Sequence, residues 1–151
     1  MRVHGERIPD AIVALTKLPR PRVTTALRVL KDNGRVATGR PYAPPFSDRD
    51  IARIILALAA PVRREILRFV DAGRLTVPTG ITGEELLSRI ASGDIKPDDG
   101  VVAISDRGAE LLIEKWRPPD CRARFFISAE TIAAIHNEIR KIECSTANAA
   151  R

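Results

Sequence analysis

Eight side chains between positions 20 and 40 are candidates to bind a polyanion. Each is cationic or bears a hydroxyl group: Arg20, Arg22, Thr24, Thr25, Arg28, Lys31, Arg35 and Arg40. An arginine can hydrogen-bond two acceptors of guanine at once, and cationic or hydroxyl side chains also bind phosphate oxygens. The chemistry open to this group is therefore recognition of nucleic acid rather than a covalent reaction.

Positive charge is concentrated in the same part of the chain. From Lys17 to Arg40 there are seven Lys or Arg residues and one acidic residue, Asp32, so the net charge is +6, equal to that of the whole chain. Residues 1–74 hold 15 basic and 7 acidic residues, a net of +8, whereas residues 75–151 hold 10 basic and 12 acidic residues, a net of −2. This asymmetry of charge predicts that the N-terminal half of the chain binds a polyanion. Seven phosphate contacts would make its DNA binding steeply dependent on salt.

A predicted helix over residues 21–33 positions most of these side chains. Its apolar residues recur at i, i+3, i+4 and i+7, which indicates one buried stripe: Val23, Ala26, Leu27 and Leu30. The pattern leaves the following residues on the outside: Arg22, Thr24, Thr25, Arg28 and Lys31. Pro21 suits the first helical position, and Gly34 suits the position just after the end.

The flanking segments predict a helix-turn-helix with a wing. Pro9 opens a first helix that ends near Lys17, and residues 1–7 form a loose arm. Residues 35–46 contain glycine and prolines and are interpreted as a short wing. Arg22 and Arg28 are then expected to read bases in the major groove, whereas Arg35 and Arg40 contact backbone phosphate. The alternative is an ordinary helical hairpin with a solvated basic face.

Residues 12–36 carry several local features in a fixed order. They are an apolar first helix (Ile12, Val13, Leu15), the turn Leu18-Pro19-Arg20, the pattern Val23-x-x-Ala26-Leu27-x-x-Leu30, and Gly34-Arg35-Val36. This run resembles the helix-turn-helix and wing of bacterial winged-helix regulators, especially the GntR type. The resemblance implies a DNA-binding function with the second helix in the major groove. It covers about a sixth of the chain, and Pro19 and Pro21 stand where small polar residues are usual.

The middle of the chain predicts two more helices. Ser47 begins a capping-box variant with Asp50, and the helix that follows has an apolar stripe too wide for one buried side. It either completes the helix-turn-helix core or forms a dimer seam. A further helix runs over residues 62–72 and stops at Gly73. Residues 56–77 resemble the opening of ArsR-type winged-helix proteins, but no recognition helix or metal-binding cysteine follows, so this resemblance implies no function.

The last third of the chain predicts a small antiparallel sheet and a final helix. Thr82 with Glu85 caps a short helix, and residues 101–105 form a strand. Residues 109–116 are interpreted as a strand rather than a helix, because residues 122–127 look like a neighbouring strand. Ser128 caps a helix with one apolar side (Ile132, Ile135, Ile139, Ile142), and residues 145–151 are expected to be disordered.

The predicted fold is therefore mainly α with a small β part, an α+β class that begins with a winged-helix-like unit. Residues 1–46 form the DNA-binding unit, and residues 47–151 form a helical and α+β region for oligomerisation or partner binding. One continuous domain is the alternative to this division. The apolar helices over residues 47–72 and 128–143 favour self-association, since large exposed apolar patches are uncommon on monomers.

Motifs of catalysis are missing from the sequence. There is no P-loop, dinucleotide-binding glycine motif, HExxH or CxxC, and the two cysteines, Cys121 and Cys144, are far apart. His4 and His136 are expected to be solvated. We therefore predict no enzyme, no catalytic residue, no metal and no cofactor. No segment has the length and apolar character of a membrane span or a signal peptide, so a cytoplasmic protein is expected.

These observations predict a protein that binds double-stranded DNA, as a bacterial or phage transcriptional regulator. It is expected to be a homo-oligomer, and its C-terminal half has room for a protein partner. One alternative is a phage small terminase-like subunit, which would recognise DNA in an oligomeric ring. Another is an interaction module whose basic face meets an acidic protein.

Overall fold

The computed structural model describes residues 4–36, 45–75, 80–96, 100–105, 108–112 and 125–149. The helices are α1 (His4–Thr16), α2 (Arg20–Asp32), α3 (Asp48–Ala59), α4 (Ile66–Ala72), α5 (Gly83–Ser92) and α6 (Ala129–Ala149). The strands are β1 (Val101–Ser105), β2 (Gly108–Leu112) and β3 (Phe125–Ser128), and a 3-10 turn (Arg63–Glu65) leads into α4. The mainly helical α+β class is confirmed. Most of the predicted wing, residues 37–44, lies outside the described residues.

Helix α3 is the centre of the core. Every residue from Ile54 to Ala59 is buried, and α3 packs against α2, α4 and α5. Its start is fixed by the predicted capping box: the Ser47 hydroxyl accepts from the Asp50 N–H, and the Asp50 carboxylate accepts from the Ser47 N–H, each at 3.0 Å. The wide apolar stripe is therefore covered within the chain, so α3 completes a core and does not offer a dimer seam.

Helices α1 and α6 close the core from the other side. Helix α6 packs against α1 and α5, and its predicted apolar stripe is buried there: Ile132, Ile135, Ile139 and Ile142. One hydrophobic cluster extends from Ile8 to Ile142 and crosses the boundary predicted at residue 46. Both apolar surfaces that suggested self-association thus lie inside this core. The homo-oligomer stays a prediction, without that support.

The sheet is three-stranded, with order β2-β1-β3 and antiparallel pairing throughout. Val102 of β1 lies opposite Leu111 of β2 and Ile127 of β3. Val102, Ile104 and Ile127 are buried, and Ala103 on the other face of β1 is buried as well. The strand interpretation of residues 109–116 is confirmed as far as Leu112, and residues 113–116 lie outside the described residues.

Two helices are longer than predicted. Helix α1 begins at His4 and runs through Pro9, so the expected loose arm is wrong for residues 4–7. Ile8 and Ile12 are both buried, and their burial one turn apart favours a continuous helix across the proline. At the other end α6 continues to Ala149, so the expected disorder of residues 145–151 is wrong for residues 145–149.

Candidate nucleic-acid interface

Helix α2 turns one complete face into the core. All four residues of the predicted stripe are buried, and Leu30 is fully buried. Val29 is buried as well, which widens the inner face beyond the prediction. The helix ends as expected, because Gly34 takes the left-handed conformation with φ of 65° directly after the C-cap residue Asn33. The residues of α2 that are not buried therefore define its outer face.

That outer face presents two open cations. Arg28 and Lys31 are exposed, and within the described residues neither forms an ion pair. Thr25 is half-buried beside them, one turn before Arg28. Thr24 is also half-buried, but its hydroxyl donates to the Arg20 carbonyl at 2.7 Å. The predicted set is therefore reduced here to two exposed cations with a hydroxyl nearby.

The predicted placement of Arg22 on the outer face is wrong. Its guanidinium Nη2 donates to the carbonyls of Leu58 at 2.8 Å and Ala60 at 3.1 Å, where α3 ends. The last carbonyls of a helix lack partners within the helix, and a long arginine from α2 satisfies two of them. The guanidinium carbon also lies 5.8 Å from the centre of the Phe125 ring. Burial lowers the pKa of Arg22 below its ordinary value, although an arginine remains charged.

Arg20 and Arg35 are joined to carboxylates. Arg20 forms an ion pair with Asp10 of α1, and Arg35 lies 3.0 Å from the carboxylate of Asp71, at the end of α4. The Arg35 carbonyl also accepts from Arg53 at 2.8 Å. Both side chains therefore hold neighbouring helices together, and a phosphate that bound either would compete with a carboxylate. Arg40 lies outside the described residues, so its predicted role on a wing stays a prediction.

A lysine occupies the corner between α1 and α2. Lys17 has a positive φ of 61°, and its N–H donates to the Val13 carbonyl at 2.9 Å. This left-handed conformation ends α1, and only Lys17, Leu18 and Pro19 separate the two helices. The Lys17 side chain is exposed. The sequence reading counted its charge but did not include it among the site residues.

A second polar cluster lies at the start of α3. The Asp48 carboxylate is 2.9 Å from His136 Nε2 and 2.9 Å from Arg140 Nη2, both on α6. Burial alone raises the pKa of Asp48, but the hydrogen bonds from Arg140 and His136 outweigh it and lower that pKa. His136 is thus half-buried against a carboxylate, and its predicted solvation is wrong. The cluster ties α6 to α3.

Arginines outside α2 were missed by the sequence reading. Residues 63–74 contain four of them (Arg63, Arg64, Arg68, Arg74), and α4, which this stretch forms in part, packs against α2. Their number in so short a stretch was a usable signal. These residues lie outside the basic window of the sequence that ends at Arg40.

Comparisons with protein-family models, with curated proteins and with solved structures each gave no match. Within the described ranges, no three His, Cys, Asp or Glu side chains are grouped so that they can hold a metal ion. In the same ranges no helix has both the length and the apolar character required to cross a bilayer. The candidate interface therefore depends on its own geometry and charge.

Proposed function

We propose that this protein binds double-stranded DNA through the outer face of α2 and acts as a transcriptional regulator. The observation that carries the proposal is the division of α2 into two faces. Its apolar stripe is fully committed to the core, and the opposite face presents Arg28 and Lys31 without carboxylate partners among the described residues. A helix of this kind fits the major groove, where side chains reach base edges.

The tertiary contacts support a recognition helix held rigidly. Arg22 ties the first turn of α2 to the end of α3, and Arg35 ties the segment after α2 to Asp71. A site on a fixed element positions its side chains more accurately than one on a loose segment. Arg28 and Lys31 thus lie between two anchored ends. The resemblance of residues 12–36 to GntR-type helix-turn-helix units favours the same role for α2.

The proposal assigns different contacts to the two cations. Arg28 lies near the middle of the outer face, where a guanidinium can contact guanine O6 and N7; such a contact contributes about 1–3 kcal/mol of discrimination. Lys31 lies one turn later, towards the end of the helix, and is assigned to phosphate. Phosphate contacts fix the position of the protein but carry no sequence information.

Fluorescence anisotropy with labelled DNA duplexes at several salt concentrations tests the proposal. A selected site is first obtained from a random-sequence pool and is then compared with its scrambled version. Arg28→Ala should reduce the preference for the selected site, whereas Lys31→Ala should weaken both duplexes equally and lower the salt slope by about 1. The control is Lys141→Ala, because Lys141 is a highly exposed cation on α6, which packs against α1 and α5 rather than α2.

Two results would overturn the proposal. The first is absence of duplex binding by the unaltered protein at low salt, where electrostatic binding is strongest. The second is equal binding by the Lys141→Ala control and by both α2 variants. Equal losses for Arg28→Ala and Lys31→Ala on both duplexes would retain DNA binding but exclude base reading by Arg28.

A further inference from the structure

The approach to α4 carries exposed arginines that the proposed interface does not yet use. Arg63 and Arg64 lie in the 3-10 turn before α4, and both side chains are exposed. Within the described residues neither forms an ion pair or a side-chain hydrogen bond. Glu65 follows them but is only half-exposed. Two adjacent cations without partners form a strongly positive patch that the core does not require.

Contacts at both ends hold α2 and α4 side by side. Near the start of α2, Arg22 binds the carbonyls of Leu58 and Ala60, just before the segment that leads into α4. Beyond the end of α2, Arg35 binds Asp71, at the end of α4. The start of α2 is therefore close to the end of α3, and the segment just after α2 is close to the end of α4. Helices α2 and α4 are also in direct contact.

The periodicity of α4 directs its arginines to the side where α2 lies. Asp71 reaches Arg35, so the flank of α4 that carries Asp71 faces the α2 side. Arg68 precedes Asp71 by three residues on α4, which is the spacing of neighbouring side chains on one side of a helix, and Arg64 lies in the 3-10 turn just before that helix. Arg64 and Arg68 are exposed. The side of α4 with Arg68 and Asp71 thus lies next to the segment that follows α2.

The same reasoning places Arg28 on the neighbouring flank of α2. The flank with Arg22 points to the end of α3. Thr25 lies three residues after Arg22, and Arg28 lies six residues after Arg22. Going from Arg22 through Thr25 to Arg28, the side chains therefore point progressively further away from α3. Helices in contact have axes about 8–10 Å apart. Arg28 thus lies on the outer face of α2, and Arg64 lies in the turn that leads into α4, a helix in direct contact with α2.

We infer that Arg63 and Arg64 form a second, phosphate-binding half of the α2 interface and contact the DNA backbone beside the groove that α2 enters. The inference rests on the proposed function, since it requires α2 in the groove. The major groove is about 12 Å wide, close to the spacing of packed helices, so a helix beside α2 reaches the bordering backbone. Arg63 and Arg64 bind phosphate groups of the duplex and do not contact the bases.

The test is a double variant, Arg63→Ala/Arg64→Ala, in the full chain. Anisotropy titrations use the selected and scrambled duplexes described above, over a series of salt concentrations. Loss of two phosphate contacts should lower the salt slope by about 2, weaken both duplexes by about the same factor, and leave the preference between them unchanged. Arg63→Lys/Arg64→Lys should retain most of the slope, because a lysine also neutralises phosphate.

The matched control removes two exposed cations from other faces, Arg89→Ala/Lys141→Ala. Arg89 lies on α5 and Lys141 on α6, and both pairs lower the net charge by the same amount. Thermal melting checks that each variant is folded. If the alanine pair at 63 and 64 does not fold, Arg63→Gln/Arg64→Gln replaces it, because glutamine keeps a polar side chain of similar length.

The outcomes separate the inference from the proposed function. If Arg28→Ala reduces sequence preference but the variant at 63 and 64 matches the control pair, the inference is wrong and α2 still binds DNA. If the unaltered protein does not bind duplex, or if no α2 variant differs from its control, the proposed function fails and the inference fails with it. A loss of sequence preference in the variant at 63 and 64 would also overturn the inference, since phosphate contacts do not read bases.

Discussion

The two ends of α3 are each held by an arginine from another helix, but the surroundings of the two arginines differ. At the first turn Arg140 of α6 lies 2.9 Å from Asp48 and 2.9 Å from Glu143. At the last turn Arg22 of α2 donates to the backbone carbonyls of Leu58 and Ala60 and forms no ion pair within the described residues. One arginine is neutralised by carboxylates, whereas the other keeps its full positive charge next to the partly negative end of a helix.

This difference shows that a structural arginine can also contribute to a functional surface. The cluster around Arg140 is balanced by acids and adds little field beyond its own neighbourhood. Arg22 satisfies carbonyls without a carboxylate, so its charge adds to the potential of the nearby face with Arg28. A positive potential of this kind attracts a polyanion before any contact forms. The end of α3 that lies close to the candidate interface is the one that retains a net positive charge.

The largest expected effect comes from removing the apolar anchor of the helix that supplies Arg22. Leu30 is fully buried on the inner face of α2, so Leu30→Ala should destabilise the protein by about 2–5 kcal/mol. Chemical denaturation measures this free energy of unfolding. Arg28→Ala on the opposite face is the control and should change it by less than about 0.5 kcal/mol. Similar losses for both would mean that the two faces of α2 are exchanged.

Arg22→Ala is expected to have the next largest effect. It leaves two carbonyls at the end of α3 without their charged donor, and hydrogen bonds of this kind contribute about 1.5–3 kcal/mol. We expect a loss of about 2–3 kcal/mol in the free energy of unfolding. Arg22→Lys should recover only part of it, because a single ammonium lacks the planar fork. A loss below about 0.5 kcal/mol would show that Arg22 does not hold this end of α3.

Arg140→Ala should have a smaller effect at the opposite end of α3. The Asp48 side chain is 40% exposed, so water replaces part of what Arg140 provides. We expect a loss of about 1–2 kcal/mol by the same denaturation measurement. Glu143 keeps its hydrogen bond from the Phe46 N–H, which limits the damage. If this loss exceeded that of Arg22→Ala, the ranking of the two ends would be reversed.

The smallest expected effect is a change of stability at acid pH that distinguishes the two ends of α3. The pKa of Asp48 is lower in the folded protein than in the unfolded chain. The ionised Asp48 therefore stabilises the fold at pH values above its pKa in the unfolded chain, and this stabilisation is lost as the pH falls through its pKa in the folded protein. The stability difference between the unaltered protein and Asp48→Asn, less than about 1 kcal/mol, should therefore shrink below about pH 4. The loss caused by Arg22→Ala should stay constant over the same interval, because its acceptors are carbonyls. Thermal melts across this pH range compare the two.

Short-range patterns were sufficient to predict most of the local structure. The apolar spacing in α2 predicted its inner face, and the side chains of Ser47, Thr82 and Ser128 predicted three helix starts, each confirmed by a hydrogen bond from the backbone three residues on. These signals are local, because a cap or a stripe depends on residues within one or two turns. The strand interpretation of residues 109–116 succeeded as far as the structure describes them.

The hydrogen-bond partners of Arg22 could not be predicted from its own segment of the sequence. A helical wheel gives the direction of the Cα–Cβ bond, but a long arginine side chain goes where acceptors are available. The acceptors here are carbonyls 36 and 38 residues later in the chain. The position of Arg63 and Arg64 depends on the tertiary fold in the same way, because their segment leads into α4, which packs against α2. The ion pairs of Arg20 and Arg35 likewise join separate helices.

Helix α1 lies against α6, the last described helix, and this has a consequence for biosynthesis. During translation α1 and α2 leave the ribosome long before α6 exists. Until then the apolar side of α1, including Ile12, has no final cover, since its main partner has not been made. Domains that depend on contacts between distant parts of the sequence fold slowly. Helix α2 is thus among the first parts to be synthesised. The burial of α1, one of the helices against which α2 packs, is completed only when nearly all of the described chain has emerged.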